Sequence, residues 1–204
     1  MQLLVSIGIM AYNEEKNISH LLDSILNQKL NSRLIKEIIV ISSGSADQTN
    51  KIVKQYAKKN KKIKLIIQTA RKGKASAVNV FLKRAKANIV LITSADLILK
   101  KDTLEKIIKP FKDSRVGIVG SHPIPVNNPN SFLVFAAHLL WGLHHQISLK
   151  RPKMGELIAF RKIFKQIPNL TAVDEANIEP LIRGQGYKAV YAPEAIVYNK
   201  SPEN

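Results

Sequence analysis

Short apolar runs alternate along this chain with segments in which apolar residues recur every three or four positions. Five apolar runs predict strands, and they cover residues 3–10, 37–41, 63–67, 88–93 and 116–119. Apolar residues recur at helical spacing between these runs and predict helices over residues 13–28, 47–60, 75–87 and 102–112. Because the strand runs are continuous rather than alternating, both faces of each strand should be buried. We therefore expect an α/β fold with a doubly wound, mostly parallel sheet flanked by helices.

The domain organisation is predicted from the length of the chain and from its turn-forming residues. A chain of 204 residues suits a single domain, which we expect to span residues 1–204. Residues 122–130 contain three prolines and three asparagines and predict a loop. That loop separates an expected first half, residues 1–121, from a second half, residues 122–204.

Composition narrows the class of protein. The chain has 32 Lys and Arg, 15 Asp and Glu, a net charge of +17 and no cysteine. The lack of cysteine excludes a disulfide framework and a thiolate zinc site. No run reaches the ~18–20 apolar residues of a membrane span, and the first ten residues carry no basic leader. We therefore expect a cytoplasmic protein, with peripheral membrane contact left open.

The positive charge is concentrated in one stretch. Thirteen Lys and Arg, and no acid, lie between Gln48 and Ala95. A solvated helix face accounts for such a stretch, and so does an anionic partner such as acidic lipid, a phosphorylated substrate or nucleic acid. Tyr56 is the only aromatic residue among the lysines of residues 51–64, and the sequence contains no helix-turn-helix or zinc-finger motif. We therefore do not expect nucleic acid as the partner.

Polar residues follow three of the predicted strands, at residues 11–15, 42–47 and 94–96. Ligands of open α/β sheets bind beyond the carboxyl ends of the strands, so these residues predict a binding site. Gly73 and Lys74 open a predicted helix, where backbone amides and an ammonium group suit a phosphate. Neither a Walker motif nor a GxGxxG motif is present. The residues alone therefore indicate a phosphate-containing ligand.

Four motif-bearing segments stand in order along the chain. They are VSIGIMAYNEEKNI (5–18), IVISSGSADQT (39–49), ARKGKASAVNVFLKRAKANIVLITSAD (70–96) and VDEANIEPLIRGQGYKAVYAPEAIV (173–197). Together they resemble the inverting, nucleotide-sugar-dependent glycosyltransferases of family 2, which have the GT-A fold. The resemblance covers nearly the whole chain. It implies that residues 1–121 bind the nucleotide sugar and residues 122–204 bind the acceptor.

The resemblance implies a donor of the UDP or GDP type and a divalent cation, Mg²⁺ or Mn²⁺. The implied nucleotide-sugar-binding residues are Ala11, Tyr12, Glu14, Ser42, Ser43, Gly73, Lys74, Ser94 and Ala95. The family's D-x-D aspartates hold the cation; here Ser94 occupies the first position, so Asp96 is the implied metal ligand. The family's second-strand acid, which usually contacts the base, aligns with Ser42 or Ser43, and the identity of the base therefore stays open.

The implied catalytic residues are Asp174 and Glu175, which match the family's acidic pair in reversed order. Glu175 falls on the position of the base, which takes a proton from the acceptor hydroxyl. A structural role is the alternative. Asp174 is a good helix N-cap, and Glu175 in the first turn suits the helix dipole.

The acceptor side is implied by the segment GELIAFRK, in which Glu156 and Arg161 are candidate acceptor contacts. A structural ion pair is the alternative for Arg161. The twelve residues from Phe132 to Leu143 carry no charge and are followed by a basic stretch at residues 150–153. They predict a buried helix, an interfacial helix at a membrane that carries a lipid-linked acceptor, or an oligomer contact.

The leading hypothesis is therefore a hexosyltransferase that transfers one sugar, with inversion, to a hydroxyl or lipid-linked acceptor. Serines stand at 42, 43 and 94 where carboxylates are usual. They motivate the alternative of a degenerate, non-catalytic GT-A domain that binds a nucleotide or a partner. A basic nucleic-acid-binding protein is the weaker alternative.

Overall fold

A computed structural model describes residues 3–31, 34–128, 131–168 and 175–200, with the backbone alone for Glu175 and Ala176. The strands are β1 Val5–Ala11, β2 Ile35–Ser43, β3 Ile63–Gln68, β4 Ile89–Ser94, β5 Ile98–Leu99, β6 Val116–Pro125, β7 Leu157–Arg161 and β8 Lys188–Asn199. The α-helices are α1 Ile18–Leu26, α2 Thr49–Lys59, α3 Lys74–Arg84, α4 Thr103–Ile108, α5 Phe132–Lys150 and α6 Glu175–Arg183.

All eight strands join one sheet, in the order β3-β2-β1-β4-β7-β6-β8-β5. The four strands β3, β2, β1 and β4 are mutually parallel. Strand β7 is antiparallel to both β4 and β6, β8 is parallel to β6, and β5 is antiparallel to β8. The predicted mostly parallel α/β sheet flanked by helices is confirmed. The expected boundary between residues 121 and 122 falls inside β6.

Both faces of the sheet are buried, as the continuous apolar runs predict. Ile7 and Ile9 of β1 belong to one core layer, which includes residues of α1, α2 and α4. Met10 belongs to the opposite layer, with residues of α3 and α6. A Cβ at Gly8 would lie 2.6 Å from Cγ of Phe81, so α3 packs directly on the β1 backbone there.

Helix α1 begins at Ile18, five residues later than the pattern predicts. Asn13 has a φ of +54°, and the amides of Asn13, Glu14 and Glu15 donate to the side chains of Ser45, Thr49 and Asp47. These three amides therefore bond to side chains after β2 and at the start of α2, and not to carbonyl groups of α1.

The predicted loop at residues 122–130 is wrong for its first four residues, which continue β6 to Pro125. Strand β7 pairs with β6 only from Ile118 to Gly120, whereas β8 pairs with it as far as Pro125. Among the described residues, no strand pairs with one edge of β6 beyond Gly120, and a proline on that edge removes no ladder hydrogen bond.

The charge-free run from Phe132 to Leu143 is the first part of α5, a helix of 19 residues. Only Val134 and Ser148 of this helix are buried. Phe132 is 81% exposed and Leu140 is 65% exposed. The prediction of a buried helix is therefore wrong for the part of the chain that the structure describes. By length and composition α5 could cross a membrane, although a core helix of a soluble protein passes the same test.

A buried carboxylate, Glu37 of β2, bonds to residues of β1 and β3 and to the segment before β4, near the amino-terminal ends of these strands. It is 1% exposed, accepts from the Ser6 hydroxyl and the Lys86 amide at 3.0 and 2.8 Å, and pairs with the Lys64 ammonium at 2.6 Å. Ser6 also accepts from the Ala87 amide at 3.1 Å. Burial alone would raise the pKa of Glu37, but these partners outweigh burial and hold the pKa below its ordinary value.

We predict that Glu37→Gln lowers the free energy of unfolding by about 1.5–3 kcal/mol at neutral pH, because it removes charge-assisted hydrogen bonds. Since the folded pKa is lowered, the carboxylate's contribution is complete above its ordinary pKa of 4.5 and is lost as pH falls through the folded value. Urea denaturation of both proteins as a function of pH measures this. The exposed neighbour Lys36→Gln is the control, and a difference that persists undiminished at acid pH would contradict the prediction.

Candidate active site

A cleft of about 280 Å³ opens at the carboxyl ends of β1, β2 and β4. It is lined by Met10, Ala11, Tyr12, Glu14, Ser43, Arg71, Gly73, Lys74, Ala77, Ser94 and Asp96. Eight of these eleven residues are ones that the sequence predicts for donor or metal binding. The parallel register brings them together, since Met10 pairs with Ser94 and Ala11 with Ser42.

One wall of the cleft is the loop after β1, which is tied to the loop after β2. The Asn13 amide side chain accepts from the Ala46 backbone N–H at 2.9 Å. The Glu15 carboxylate accepts from the Gln48 N–H at 2.9 Å, and the Asp47 carboxylate accepts from the Glu15 N–H at 3.0 Å. This exchange fixes the backbone that carries Tyr12 and Glu14.

The opposite wall is the segment before α3, which approaches the loop after β2 closely. A Cβ at Gly44, whose φ is +75°, would lie 2.5 Å from the backbone nitrogen of Arg71. The Lys72 N–H donates to the Ser43 hydroxyl at 3.0 Å. This closeness places the Arg71 guanidinium 4.2 Å from the centroid of the Tyr12 ring. This distance is that of a cation–π contact, and both side chains line the cleft.

Gly73 occupies the N-cap of α3 with a φ of +79°, and nothing lies within 4 Å of a Cβ built there. The start of the helix is thus open to a ligand. The first-turn amides of a helix suit a phosphate, and the Lys74 side chain lines the same cleft.

Two carboxylates, Glu14 and Asp96, share the cleft. Burial raises the pKa of Glu14, the hydrogen bond from the Asn17 amide at 2.8 Å opposes the rise, and the negative charges of Asp96 and Asp47 add to it. A cation in the cleft would relieve this repulsion. Mg²⁺ commonly takes one or two carboxylates and completes its shell with phosphate oxygens and water. Asp96, with Ser94 and Glu14 nearby, fits that kind of site, although no group of three or more His, Asp or Glu converges on one point within the described residues.

Two predicted donor residues lie outside the cleft. Ser42 is fully buried, and its hydroxyl donates to the Ser45 hydroxyl at 2.8 Å. This hydrogen bond stabilises the loop after β2. Ala95 is fully buried in the core layer that contains α1. Both side chains face away from the cleft because neighbouring positions at a strand end point to opposite sides.

The structure separates the two predicted acceptor residues. Glu156 precedes Leu157, which pairs with Thr93 at the cleft edge of the sheet. Arg161 pairs with Ile89, at the opposite edge. Its guanidinium donates to the backbone carbonyls of Val116, Phe111 and Asp113 at 2.8, 3.1 and 3.3 Å. Arg161 is therefore a structural residue, and the expectation that it contacts the acceptor is wrong.

The two predicted catalytic residues cannot be placed at the level of side chains. Asp174 lies outside the described residues, and Glu175 is described only as the first backbone position of α6. Their roles stay predictions.

Sequence reasoning did not assign Met10, Arg71 or Ala77 to the site. Arg71 stands two residues before Gly73, and a cation just ahead of a glycine-started helix was the available signal. Met10 and Ala77 carry no chemical signal and join the cleft only through the packing of α3 on β1.

Comparisons with known proteins agree with this arrangement. A family model described as glycosyl transferase family 2 matches residues 6–171. A poly-beta-1,6-N-acetyl-D-glucosamine synthase of Staphylococcus epidermidis is 32% identical over 130 residues, 63% of this chain and 30% of that protein. A dolichyl-phosphate beta-glucosyltransferase of Trichomonas vaginalis is 35% identical over 114 residues, 53% of this chain and 35% of that protein. The chain therefore spans about a third of the length of these curated relatives.

Among solved structures, a mannosyltransferase from Pyrobaculum calidifontis in complex with GDP-Man and Mn²⁺ superposes with a TM-score of 0.80 at 28% identity. The match covers 98% of this chain and 57% of that one. TarS of Staphylococcus aureus superposes with a TM-score of 0.71 at 20% identity, over 97% of this chain and 60% of that one. The expected GT-A-like fold is confirmed.

Gly44→Ala should lower the free energy of unfolding by roughly 1–3 kcal/mol, because the new methyl group meets the Arg71 backbone and φ is positive. Chemical denaturation measures the change. Gly142→Ala is the matched control, since it lies in α5 with open space around it and should be neutral or slightly stabilising. Equal effects at the two glycines would contradict the close approach at Gly44.

Proposed function

The chain belongs to glycosyltransferase family 2, and from that premise we propose that it transfers a single sugar, with inversion, from a nucleotide diphosphate sugar to a hydroxyl or lipid-linked acceptor. The observation that carries the proposal is the cleft, in which eight residues implied for donor or metal binding converge. The mannosyltransferase likeness supports a donor of the UDP or GDP type, since that protein was solved with GDP-Man and Mn²⁺.

The cleft offers separate surfaces to the parts of such a donor. The Tyr12 ring, backed by Arg71, provides a flat face for the base or ribose. The open start of α3 at Gly73, with Lys74, faces the diphosphate. Ser43 accepts from the Lys72 amide and holds this segment in position.

Asp96 would hold Mg²⁺ or Mn²⁺, with Ser94 reaching the ion directly or through water. When bound, the cation neutralises the charge that develops on the departing nucleoside diphosphate. The two carboxylates Glu14 and Asp96 in one cleft support this assignment, because burial and the negative charge of Asp96 both raise the pKa of Glu14, and a bound cation would oppose that effect.

The chemical step is a displacement at the anomeric carbon of the sugar. The acceptor oxygen forms a bond to that carbon as the bond to the diphosphate oxygen breaks on the opposite side, which inverts the configuration. Glu175 takes the proton of an attacking hydroxyl, and Asp174 is its partner in the acidic pair. Glu156, at the cleft edge of the sheet, is a candidate acceptor contact. We infer a cytoplasmic enzyme peripheral to a membrane, an inference that the exposed apolar residues of α5 support.

Asp96→Asn should weaken Mn²⁺-dependent binding of UDP or GDP by roughly tenfold or more, since it removes the predicted metal ligand. Isothermal calorimetry with each nucleotide, with and without Mn²⁺, measures the affinity. Glu194→Gln is the control, because that side chain is 71% exposed and pairs with Lys106 away from the cleft. Nucleotide binding that needs no cation and is unchanged in Asp96→Asn would exclude this role for Asp96.

Glu175→Gln should slow hydrolysis of the nucleotide sugar on the order of 10²–10⁴-fold, because water takes the acceptor's place and still needs a base. Nucleotide affinity should stay unchanged. Release of nucleoside diphosphate across a panel of UDP and GDP sugars measures the rate. Asp174→Asn is the comparison. A larger loss of rate in Asp174→Asn than in Glu175→Gln would show that Asp174, and not Glu175, is the base. Binding of nucleotides without turnover of any donor in the unaltered protein would instead favour the non-catalytic alternative.

A further inference from the structure

Helix α5 turns its polar side chains toward the protein and its apolar side chains outward. The inward residues recur at helical spacing and are buried or half-buried; they are Val134, His138, Trp141, His144, His145 and Ser148. The outward residues are at least half exposed; they are Phe132, Phe135, Leu139, Leu140, Leu143 and Ile147. Val134 is the one buried apolar residue in α5, all of which the structure describes. Attachment of the helix therefore depends on its polar inward side, which carries three of the chain's five histidines.

A stacked pair of histidines joins α5 to the sheet. The ring of His145 lies 4.0 Å from that of His122 in β6, with 11° between the ring planes. Nδ1 of His145 contacts the Tyr191 hydroxyl of β8 at 2.7 Å, and Nδ1 of His122 donates to the Pro193 carbonyl at 3.1 Å. Stacking at this distance suits neutral rings. Two imidazolium rings in this position would repel each other, because each positive charge disfavours the other.

His144 makes a second contact and has no acceptor for an added proton. Its Nε2 donates to the Met154 carbonyl at 3.1 Å. Its Nδ1 is buried and has no hydrogen-bond partner within the described residues. In the neutral ring this nitrogen is an acceptor, whereas a proton on it would create a buried donor without an acceptor. An unsatisfied buried donor destabilises the packed state, so packing of α5 favours a neutral His144.

The charges around these rings also favour the neutral form. Burial lowers the pKa of His122, its hydrogen-bonded carbonyl opposes this, and the positive charges of protonated His145 and His144 lower the pKa further. Burial likewise lowers the pKa of His144, its hydrogen-bonded carbonyl opposes this, and the positive charges of His145 and Lys153 add to the lowering. Protonation of one ring therefore makes protonation of the next less favourable while α5 stays packed.

No carboxylate offsets these positive charges in the part of the chain that the structure describes. None of the histidines of α5 and β6 forms a salt bridge with Asp or Glu there. Glu194, which follows Pro193 in β8, pairs with Lys106 instead. Burial raises the pKa of Tyr191, so its hydroxyl stays neutral beside His145. The titratable groups at this interface are thus His138, His144 and His145 of α5, His122 of β6, Tyr191 of β8, and Lys153 after α5.

We propose that His122, His144 and His145 form a pH-sensitive latch, which holds α5 on the sheet when their rings are neutral and releases the helix when they bind protons. The latch lies outside the donor cleft and does not depend on the transferase function proposed above. Because packing disfavours the protonated rings, the docked state binds fewer protons than the released state.

The direction of the pH dependence follows from the lowered pKa values. Docking of α5 is strongest above the ordinary histidine pKa of 6.5, and it is lost as the pH falls through the lowered values of His122 and His144. Each proton taken up on release changes the docking equilibrium by up to about tenfold per pH unit. This transition lies above the pH range in which Glu37 is protonated.

Trp141 reports on the latch, since it is the only tryptophan of the chain and its ring centroid lies 5.2 Å from that of His144. As the pH is lowered from about 8 to about 5, we expect its emission maximum to move to longer wavelength and its quenching by acrylamide to rise roughly twofold or more. The midpoint should lie below the ordinary histidine pKa of 6.5. A Trp141 emission maximum and quenching constant that do not change over this range would overturn the proposal.

Hydrogen exchange of the unaltered protein distinguishes release of α5 from general unfolding. After correction for the intrinsic pH dependence of exchange, amides of α5 should lose protection at about pH 5 on the order of tenfold or more. Amides of α1 and β1 should keep their protection, because their packing does not involve the latch. An equal loss in α1 and α5 would show that the whole domain opens, and would overturn the latch.

The double substitution His122→Asn, His144→Gln removes two titrating rings and keeps their hydrogen bonds. The amide nitrogen of Asn takes the place of Nδ1 and that of Gln the place of Nε2, so each still donates to its carbonyl. The Trp141 shift and the loss of α5 protection should both disappear between about pH 8 and about pH 5. His20→Gln is the control, because His20 is exposed on α1, and it should behave as the unaltered protein does.

Two results with the variants would overturn the assignment to these histidines. One is a full pH dependence in the double variant, and the other is its loss in His20→Gln. If the double variant releases α5 even at about pH 8, the single variants His122→Asn and His144→Gln decide. The transition of each should be shallower by about one proton, and an unchanged slope in both would overturn the proposal.

Discussion

The candidate site of this protein depends on three backbone amides that donate to side chains instead of helical carbonyl groups. After β1, the amides of Asn13, Glu14 and Glu15 donate to the side chains of Ser45, Thr49 and Asp47, which lie after β2 and at the start of α2. If these amides instead continued α1 toward its amino terminus, Tyr12 and Glu14 could not hold their places in the cleft. The parallel register of β1 with β2 and β4 makes the exchange available, because it brings three loops to one edge. Close approach at Gly44 then brings the segment before α3 to the same edge, with Arg71 over the Tyr12 ring.

The carboxylates at the two ends of the sheet's strands have different surroundings. At the amino-terminal edge, Glu37 is fully partnered by a hydroxyl, an amide and an ammonium group, and it serves stability. At the carboxyl edge, Glu14 and Asp96 face one cleft, and Glu14 is held with a raised pKa by burial and by that like charge. A carboxylate with complete partners stabilises the fold. Glu14, by contrast, has only the Asn17 amide to oppose burial and the nearby negative charge.

Asp96 lines two pockets within the described residues: the cleft, which Glu14 also lines, and a second pocket, which Lys16 also lines. Asn17 lines the second pocket and donates a hydrogen bond to Glu14, so the two linings are in direct contact. A substitution at Asp96 therefore alters the lining of both pockets.

The sequence by itself determined the alternation of strands and helices and the buried, mostly parallel sheet, and its polar strand ends indicated the edge at which the cleft lies. These follow from local patterns, since continuous apolar runs and polar strand ends depend only on neighbours along the chain. The tertiary structure decided what depends on distant partners. Asp102 stands at the N-cap of α4, yet its side chain makes no cap hydrogen bond, and Gln28 accepts the Leu104 amide instead. Arg161 reads as a substrate contact, but the antiparallel direction of β7 carries it to the opposite edge. Spacing along a chain gives the period of an element, whereas strand direction and long-range hydrogen bonding give the place where each side chain finally lies.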